Sequence, residues 1–466
     1  MTSPTVRSPS RTFGVNLFES SRPVWQLFVV FLIPLMISNI LQAASQTFSL
    51  MFLGRLIGVG ALASVSAVFP IVFLLFSFLI GLGSGSSVLI GQAHGAGDAH
   101  RVKLVAGTVL GATLAFGIFT AIVGPIIAPP LLAFLRTPAN IMPEAVTYAR
   151  AVFLISPLVF PYIIYTSILR GTGDSTTPLY SLVLSTVLTI VITPAFIEGW
   201  LGLPQLGVVS VVVGAAISNL IAFAAFLIYL ARMGHPLRFD SEIARDMIVD
   251  PHILGLVLKI GIPTGLQVIM VSLAEIAVLS FVNRFGSSAT AAYGAVNQIV
   301  SYVQFPAISV GIAASILAAQ AIGARREDLL SKVVRSAVAL NYIIGGAIIA
   351  ACYIFAWTIL GWFINDPATL TIAHTLLMIT LWSYLIFGNS AAISWVVRGS
   401  GDVLVPMING IIGIWGVEVP AAYLLMGKFG LNGVWLGYPI SFFAVLGLQY
   451  GYYTFFWKKR THARLV

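Results

Sequence analysis

"RGTGDSTTPL" (residues 170–179) and "RGSGDVLVPM" (398–407) are two versions of one phrase, 228 positions apart. Arg, both Gly, Asp and Pro keep their offsets in the two copies. Working outward, "GQAHGAGD" (91–98) meets "AQAIGARR" (319–326) at the same spacing, pairing Gln92 with Gln320, Gly95 with Gly323 and Ala96 with Ala324. "GVVSVVVGAAIS", from Gly207, echoes "GLNGVWLGYPIS", from Gly430, at a slightly shorter offset. Three echoes in one order point to a duplicated unit filling most of the chain.

The surroundings of these phrases say what is duplicated. Of 466 residues, 59% are hydrophobic and 8% charged, with a mean hydropathy of +1.00; a soluble domain carries about a quarter charged residues. Apolar runs near the ~20 residues needed to cross a bilayer occupy almost the whole length. Lipid admits helices or closed barrels only, and runs without period-2 alternation select helices. The expected fold is an all-α integral membrane protein with twelve transmembrane helices. The spans are 24–53, 63–90, 103–126, 146–169, 178–197 and 207–231, then 254–283, 290–319, 332–360, 369–397, 405–427 and 431–456, numbered here helices 1 to 12.

The longest polar stretch after the N-terminus, "RMGHPLRFDSEIARDMIVDPH" (232–252), separates two sets of six. This predicts an N-terminal tail over 1–22, an N lobe over 23–231, a linker over 232–252, a C lobe over 253–456 and a tail over 457–466. With the N-terminus inside, 19 of the 24 Lys and Arg residues fall on the inner side, which places both termini in the cytoplasm and the protein in the plasma (inner) membrane. The net charge of +9 is thereby assigned to helix ends, and nucleic acid is excluded as a partner. The lone Cys352 rules out an intrachain disulfide framework. Residues 1–22 lack a signal-type apolar core.

Six spans per unit bring both copies in from the same side, so the lobes are parallel six-helix repeats around a central cleft, an arrangement suited to alternating access. The repeated phrases then fall in cytoplasmic loops after helices 4 and 10, with their charges hydrated. Arg170 and Arg398 sit at helix C-termini, where a cation complements the last carbonyls, and Pro178 and Pro406 open the next helices, where no N–H is needed. A hinge and inner gate built from Gln92, Gly95, Arg170, Asp174, Gln320, Arg398 and Asp402 is one reading. A topological turn with an anchoring Arg is the other.

At these residues the sequence resembles the multidrug and toxic compound extrusion (MATE) family of cation-coupled antiporters, over about residues 25–456. "FLGRLIG" after helix 1, and Pro34 and Pro263 inside helices 1 and 7, fit the resemblance as well. It implies two bundles forming a V and drug export driven by entry of H⁺ or Na⁺, with no other cofactor. The departures concern the coupling acids. This chain has Ser49 in helix 1, Thr189 and Thr193 in helix 5 and Phe387 in helix 10, where relatives often carry acids or, in helix 5, a short Asn/Asp-bearing phrase.

Of fifteen acidic residues, all but Glu275 and Glu418 fall in tails, loops or span edges. A carboxyl inside a bilayer costs about 2.5 kcal/mol or more, which makes each a functional candidate. Glu275 lies nine residues before Arg284 and Glu418 ten before Lys428, so both are roughly 14 Å inside the outer boundary. Both belong to the lobe in which the family's alternative cation site lies. They are the expected coupling-ion ligands, with Ser272 and Asn389 as further oxygens if the ion is Na⁺. A hydrogen bond within the bundle is the plainer alternative for Glu418. Gln42, Gln46, Gln267, Met270, Asn297, Gln298, Gln304 and Tyr384 are candidates for substrate contact, against the alternative of interhelical glue or ordinary packing. Gln267 and Glu275 share one helical stripe.

The expected function is a monomeric secondary antiporter exporting small organic compounds, cationic and amphipathic, across the lipid bilayer. No Lys or Arg lies well inside a span on this assignment, which argues against a flippase for pyrophosphate-linked lipid or metabolite cargo. A membrane-embedded enzyme is a remoter alternative, since the loop acids are scattered and no metal-binding or paired-Asp motif occurs.

Overall fold

A computed structural model describes residues 23–466, and the expected tail over 1–22 lies outside them. Every regular element among the described residues is helical. Helices 1 to 3 run over Val24–Phe52, Val59–Gly95 and Ala99–Phe134, and helices 5 to 8 over Thr176–Glu198, Val209–Met233, Pro251–Val282 and Ser287–Gly323. Helix 9 lies within Glu327–Ile354, helix 10 within Pro367–Gly399 and helix 11 within Leu404–Phe429, followed by helix 12, Leu431–Phe455.

Helix 4 departs from the single straight span expected over 146–169. It is a pair, Met142–Leu154 and Ser156–Gly171, bent by 55°. Pro157 has no N–H to offer the Phe153 carbonyl, and the Ser156 hydroxyl takes its place, its one proton shared between that carbonyl at 2.5 Å and Gly117 O at 2.9 Å. Freed backbone groups in a membrane helix need such substitutes. The second repeat breaks at the corresponding place without a proline. A 3-10 turn, Leu381–Ser383, interrupts helix 10, and Ser383 Oγ donates to Thr380 O at 2.5 Å.

Two tight turns repeat as faithfully as the spans do. Gly173 (φ 87°) and Gly401 (φ 89°) adopt left-handed conformations at equivalent places in the two phrases. Asp174 accepts from the backbone N–H of Thr176 and Thr177, both at 3.0 Å, capping helix 5. It also lies 3.7 Å from His235 Nε2. Asp402 departs from this pattern and accepts from the Tyr452 hydroxyl of helix 12.

The polar stretch between the repeats contains a short helix, Ser241–Asp246. Lys103 of helix 3 binds Asp240 at 2.6 Å and Glu242 at 2.7 Å, fixing this linker to the first repeat. The hydrogen bonds from Lys103 and then His100 hold the Glu242 carboxyl below the usual glutamate range.

Residues beyond helix 12 fold back against both repeats. Trp457 is buried, donates to Ser400 Oγ at 3.0 Å and stacks on His462 with ring centres 4.2 Å apart. His462 N–H donates to Glu327 at 3.1 Å, and Leu465 N–H donates to Gln92 Oε1 at 2.9 Å. Leu465 and Val466 pack against a hydrophobic cluster drawn mainly from the first repeat, with Val257 and Ala319 of the second among its members. Trp457→Ala is expected to destabilise the protein by roughly 3 kcal/mol, the lower end for a buried Trp truncation. A lowered melting temperature in detergent is the check.

Candidate functional site

Glycines set how closely the two repeats approach each other. Helix 2 lies against helices 7 and 8 with Gly81 facing Gly261, Gly85 facing Val257, Gly91 facing Ala319 and Gly95 facing Gln320. A Cβ on Gly95 would overlap the Gln320 carbonyl, and one on Gly323 would overlap the Gln92 carbonyl. These backbones touch because no side chain separates them. The repeated phrases then exchange partners across the seam. Gln92 Nε2 donates to Gly399 O at 3.1 Å, and Gln320 Nε2 donates to Gly171 O at 3.4 Å. Both glutamines are fully buried. Asn39 of helix 1 adds a bond to Ser309 of helix 8, at 2.8 Å. The seal lies at the end of the molecule that carries Gln92, Gly171, Gly399 and the C-terminal residues.

A cavity of about 310 Å³ opens inside the second repeat, walled by helices 7, 8, 10, 11 and 12, with Ile80 of helix 2 touching it. Helical spacing explains the wall. Thr264, Gln267, Val271 and Glu275 form one stripe of helix 7, and Gly410, Ile414 and Glu418 form one of helix 11. Both intramembrane acids therefore face the same space. Glu275 is exposed, whereas Glu418 is buried, only 5% exposed, with Ser441 beside its carboxyl. Among the described residues neither has a Lys, Arg or His within ion-pair distance.

The helix around Glu418 is widened. Residues Ile412–Glu418 form a π-helical turn. Pro420, two residues on, lacks an N–H and its ring crowds the Gly416 carbonyl, a recognised cause of such widening. Helix 11 is anchored there to helix 7 by Trp415 Nε1, which donates to Met270 O at 3.0 Å.

Gln304 and Tyr384 also line the cavity, as does Phe387. The other expected contacts are elsewhere. Ser272, Met270, Asn297 and Gln298 are absent from this wall, and Met270 contributes only its carbonyl, to Trp415. Asn389 is buried and its Oδ1 accepts from Asn341 Nδ2 at 2.9 Å, an amide pair joining helices 9 and 10. Gln42 and Gln46 are exposed on helix 1 of the other repeat. In that repeat Thr189 bonds Ser185 O at 2.8 Å, and Thr193 packs against Gly214.

Arg398 corrects the expectation that the charges of both phrases are hydrated in loops. It is 4% exposed and lines the cavity. Helix 10 continues to Gly399, and Arg398 completes the face of Phe387, Ala391 and Ser394. That spacing was the signal available in the sequence. Arg398 stays at the end of its span, so a basic side chain reaches the cavity without lying well inside a span. Arg170, its repeat partner, is half-buried and does not line this cavity.

The MatE family model matches this chain twice, over residues 34–195 and 263–424. The probable multidrug resistance protein YoeA of Bacillus subtilis (strain 168) is 49% identical over 451 residues, covering 96% of this chain and 97% of that protein. The multidrug export protein MepA of Staphylococcus aureus (strain MRSA252) is 25% identical over 435 residues, 90% of each chain. Among solved structures, one described as an outward-facing conformation of a multidrug resistance MATE family transporter of the MOP superfamily superposes with a TM-score of 0.82 at 21% identity, covering 92% of this chain and 95% of that one. Another, a MATE protein in complex with MaD5, gives 0.85 at 22% identity, covering 94% and 98%. Each matched segment falls within one repeat, spanning helices 1 to 5 and helices 7 to 11, and the chain belongs to the MatE family of multi-pass membrane transporters, which are not enzymes.

Proposed function

We propose that this chain is a secondary antiporter that exports amphipathic organic compounds in exchange for H⁺ or Na⁺, with Glu275 and Glu418 holding the coupling ion. The observation that carries this reading is that both intramembrane carboxylates face one cavity and have no basic partner there within ion-pair distance among the described residues. A carboxylate in that setting is stabilised by taking up a cation or a proton. Neutralisation at this site and occupancy by an organic compound then compete for the same walls. Coupling follows if each ligand favours a different access state.

The bias of Lys and Arg supports cytoplasmic termini. On that orientation the interlocked phrases form the inner seal, and the state described here is closed toward the cytoplasm. A cargo carrying pyrophosphate would call for several cations. Arg398 is the one basic side chain that lines the cavity among the described residues, which favours an organic compound over a lipid-linked pyrophosphate.

Dye efflux from proteoliposomes, with a pH gradient and a Na⁺ gradient imposed separately, tests the reading. Efflux at least tenfold above protein-free vesicles under one gradient identifies the ion. No efflux under either overturns the antiport proposal.

A further inference from the structure

The polarity of the cavity is the feature that family membership leaves unexplained. One end carries Glu275 and Glu418. The other carries Arg398, a guanidinium almost completely withdrawn from solvent. Its hydrogen-bond partners among the described residues are all neutral: Nε donates to Ser394 Oγ at 3.4 Å, Nη1 to Thr264 Oγ1 at 3.2 Å, and Nη2 to Gln267 Oε1. The Trp395 ring lies 5.5 Å from its central carbon. Among the described residues no carboxylate is within ion-pair distance of it. A guanidinium has five N–H donors, and the bonds made among the described residues use three of them. A residue serving only to anchor a helix end would turn its donors to the last carbonyls or to headgroups. Arg398 turns them to side chains of helix 7 and to the cavity.

The distance between the two ends follows from the helices. Gln267, which holds the guanidinium, precedes Glu275 by eight residues, and Gly410, on which Gln267 packs, precedes Glu418 by eight. Each interval is roughly 12 Å of helix. The wall between is apolar and aromatic, with Val271, Ile414, Phe387 and Phe442 among its residues.

We propose that Arg398 is an oxyanion receptor at the inner end of this cavity, and that the compounds it takes are amphipathic zwitterions. The carboxylate of the compound binds Arg398, its protonated amine lies toward Glu275 and Glu418, and its flat apolar body fills the space between. Planar N–H donors suit a carboxylate, and the low local dielectric strengthens the pairing. A compound with only a positive charge would meet Arg398 unpaired. This deepens the proposed function and rests on its assignment of the cavity as the substrate site.

The test is equilibrium binding to the full chain in lipid nanodiscs with two dyes sharing one xanthene body: rhodamine 110, which has a free carboxylate, and rhodamine 123, its methyl ester. Wild-type protein is expected to bind rhodamine 110 at least tenfold more tightly. Arg398→Gln is expected to weaken rhodamine 110 by tenfold or more while leaving rhodamine 123 within about twofold, so the selectivity is lost and the site is kept. A role confined to helix packing would move both dyes together. If Arg398→Gln does not accumulate in the membrane, the wild-type ratio decides, because equal affinities or a preference for the ester overturn the proposal by themselves. Ester binding without carboxylate selectivity overturns the oxyanion receptor and leaves the substrate site standing. Failure of both dyes to bind overturns the two readings together.

Discussion

Glu275→Gln and Glu418→Gln proteins are expected to bind a dye but to lose at least tenfold of gradient-driven efflux. An amide has nearly the shape of a carboxyl and keeps a hydrogen-bonding oxygen, yet it takes up no proton and offers Na⁺ no negative charge. Each variant therefore holds its position in the coupling cycle at the neutralised form. Both carboxyls line one cavity, so the two single variants and the double variant should have similar residual rates. Residues acting as a unit give such non-additive losses. Efflux would be measured in proteoliposomes under the gradient that drives the wild type, with dye binding measured separately. Unchanged efflux in Glu275→Gln would remove that residue from the coupling site. Loss of dye binding along with efflux would show that the acids are needed to hold the compound itself and not only to couple its export.

The second large effect is expected at the seam. Gly95→Ala or Gly323→Ala places a methyl group against a carbonyl of the facing repeat, Gln320 in one case and Gln92 in the other. Backbone cannot yield as a flexible side chain does. Overpacking of this kind costs about 1–3 kcal/mol, which corresponds to a shift of roughly 5- to 150-fold in a two-state equilibrium. The strain exists only while the repeats are interlocked, so the substitution disfavours this state rather than the fold. Spin labels on the two repeats should report a longer separation at this end, and transport should fall with normal amounts of protein in the membrane. Gly255 has no atom within 4 Å of an added Cβ, and Gly255→Ala is the control expected to be silent. Normal spacing and transport in both seam variants would show that the seam gives way without cost.

These two sites differ in how far they can be read from the chain. The seam was legible because its parts are words that recur: Gln92 and Gln320, Gly95 and Gly323, at one offset. Duplication exposes a pair that must meet its own copy. The reciprocity was not legible, since nothing in the phrases says that Gln92 binds Gly399 while Gln320 binds Gly171. Glu275 and Glu418 stood out because carboxyls are rare at that depth in hydrocarbon. Ser272, Asn297 and Gln298 carried the same kind of polar signal and do not reach the cavity. An intramembrane amide or hydroxyl is cheap enough to serve as glue, as Asn389 does with Asn341, so its presence alone does not single out a binding wall.

By itself the sequence determined the membrane class, the span positions and the duplication. Those properties depend on the length and polarity of local segments, which the bilayer sorts one helix at a time. The tertiary structure alone decided where Arg398 points, that Leu465 reaches Gln92, and that one cavity joins Arg398 to both acids. The first two join residues more than a hundred positions apart in sequence, and the third depends on how helices 7, 10 and 11 are rotated against one another. A buried charge such as Arg398 is held by partners such as Thr264 and Gln267, which become its neighbours only after the bundle has packed.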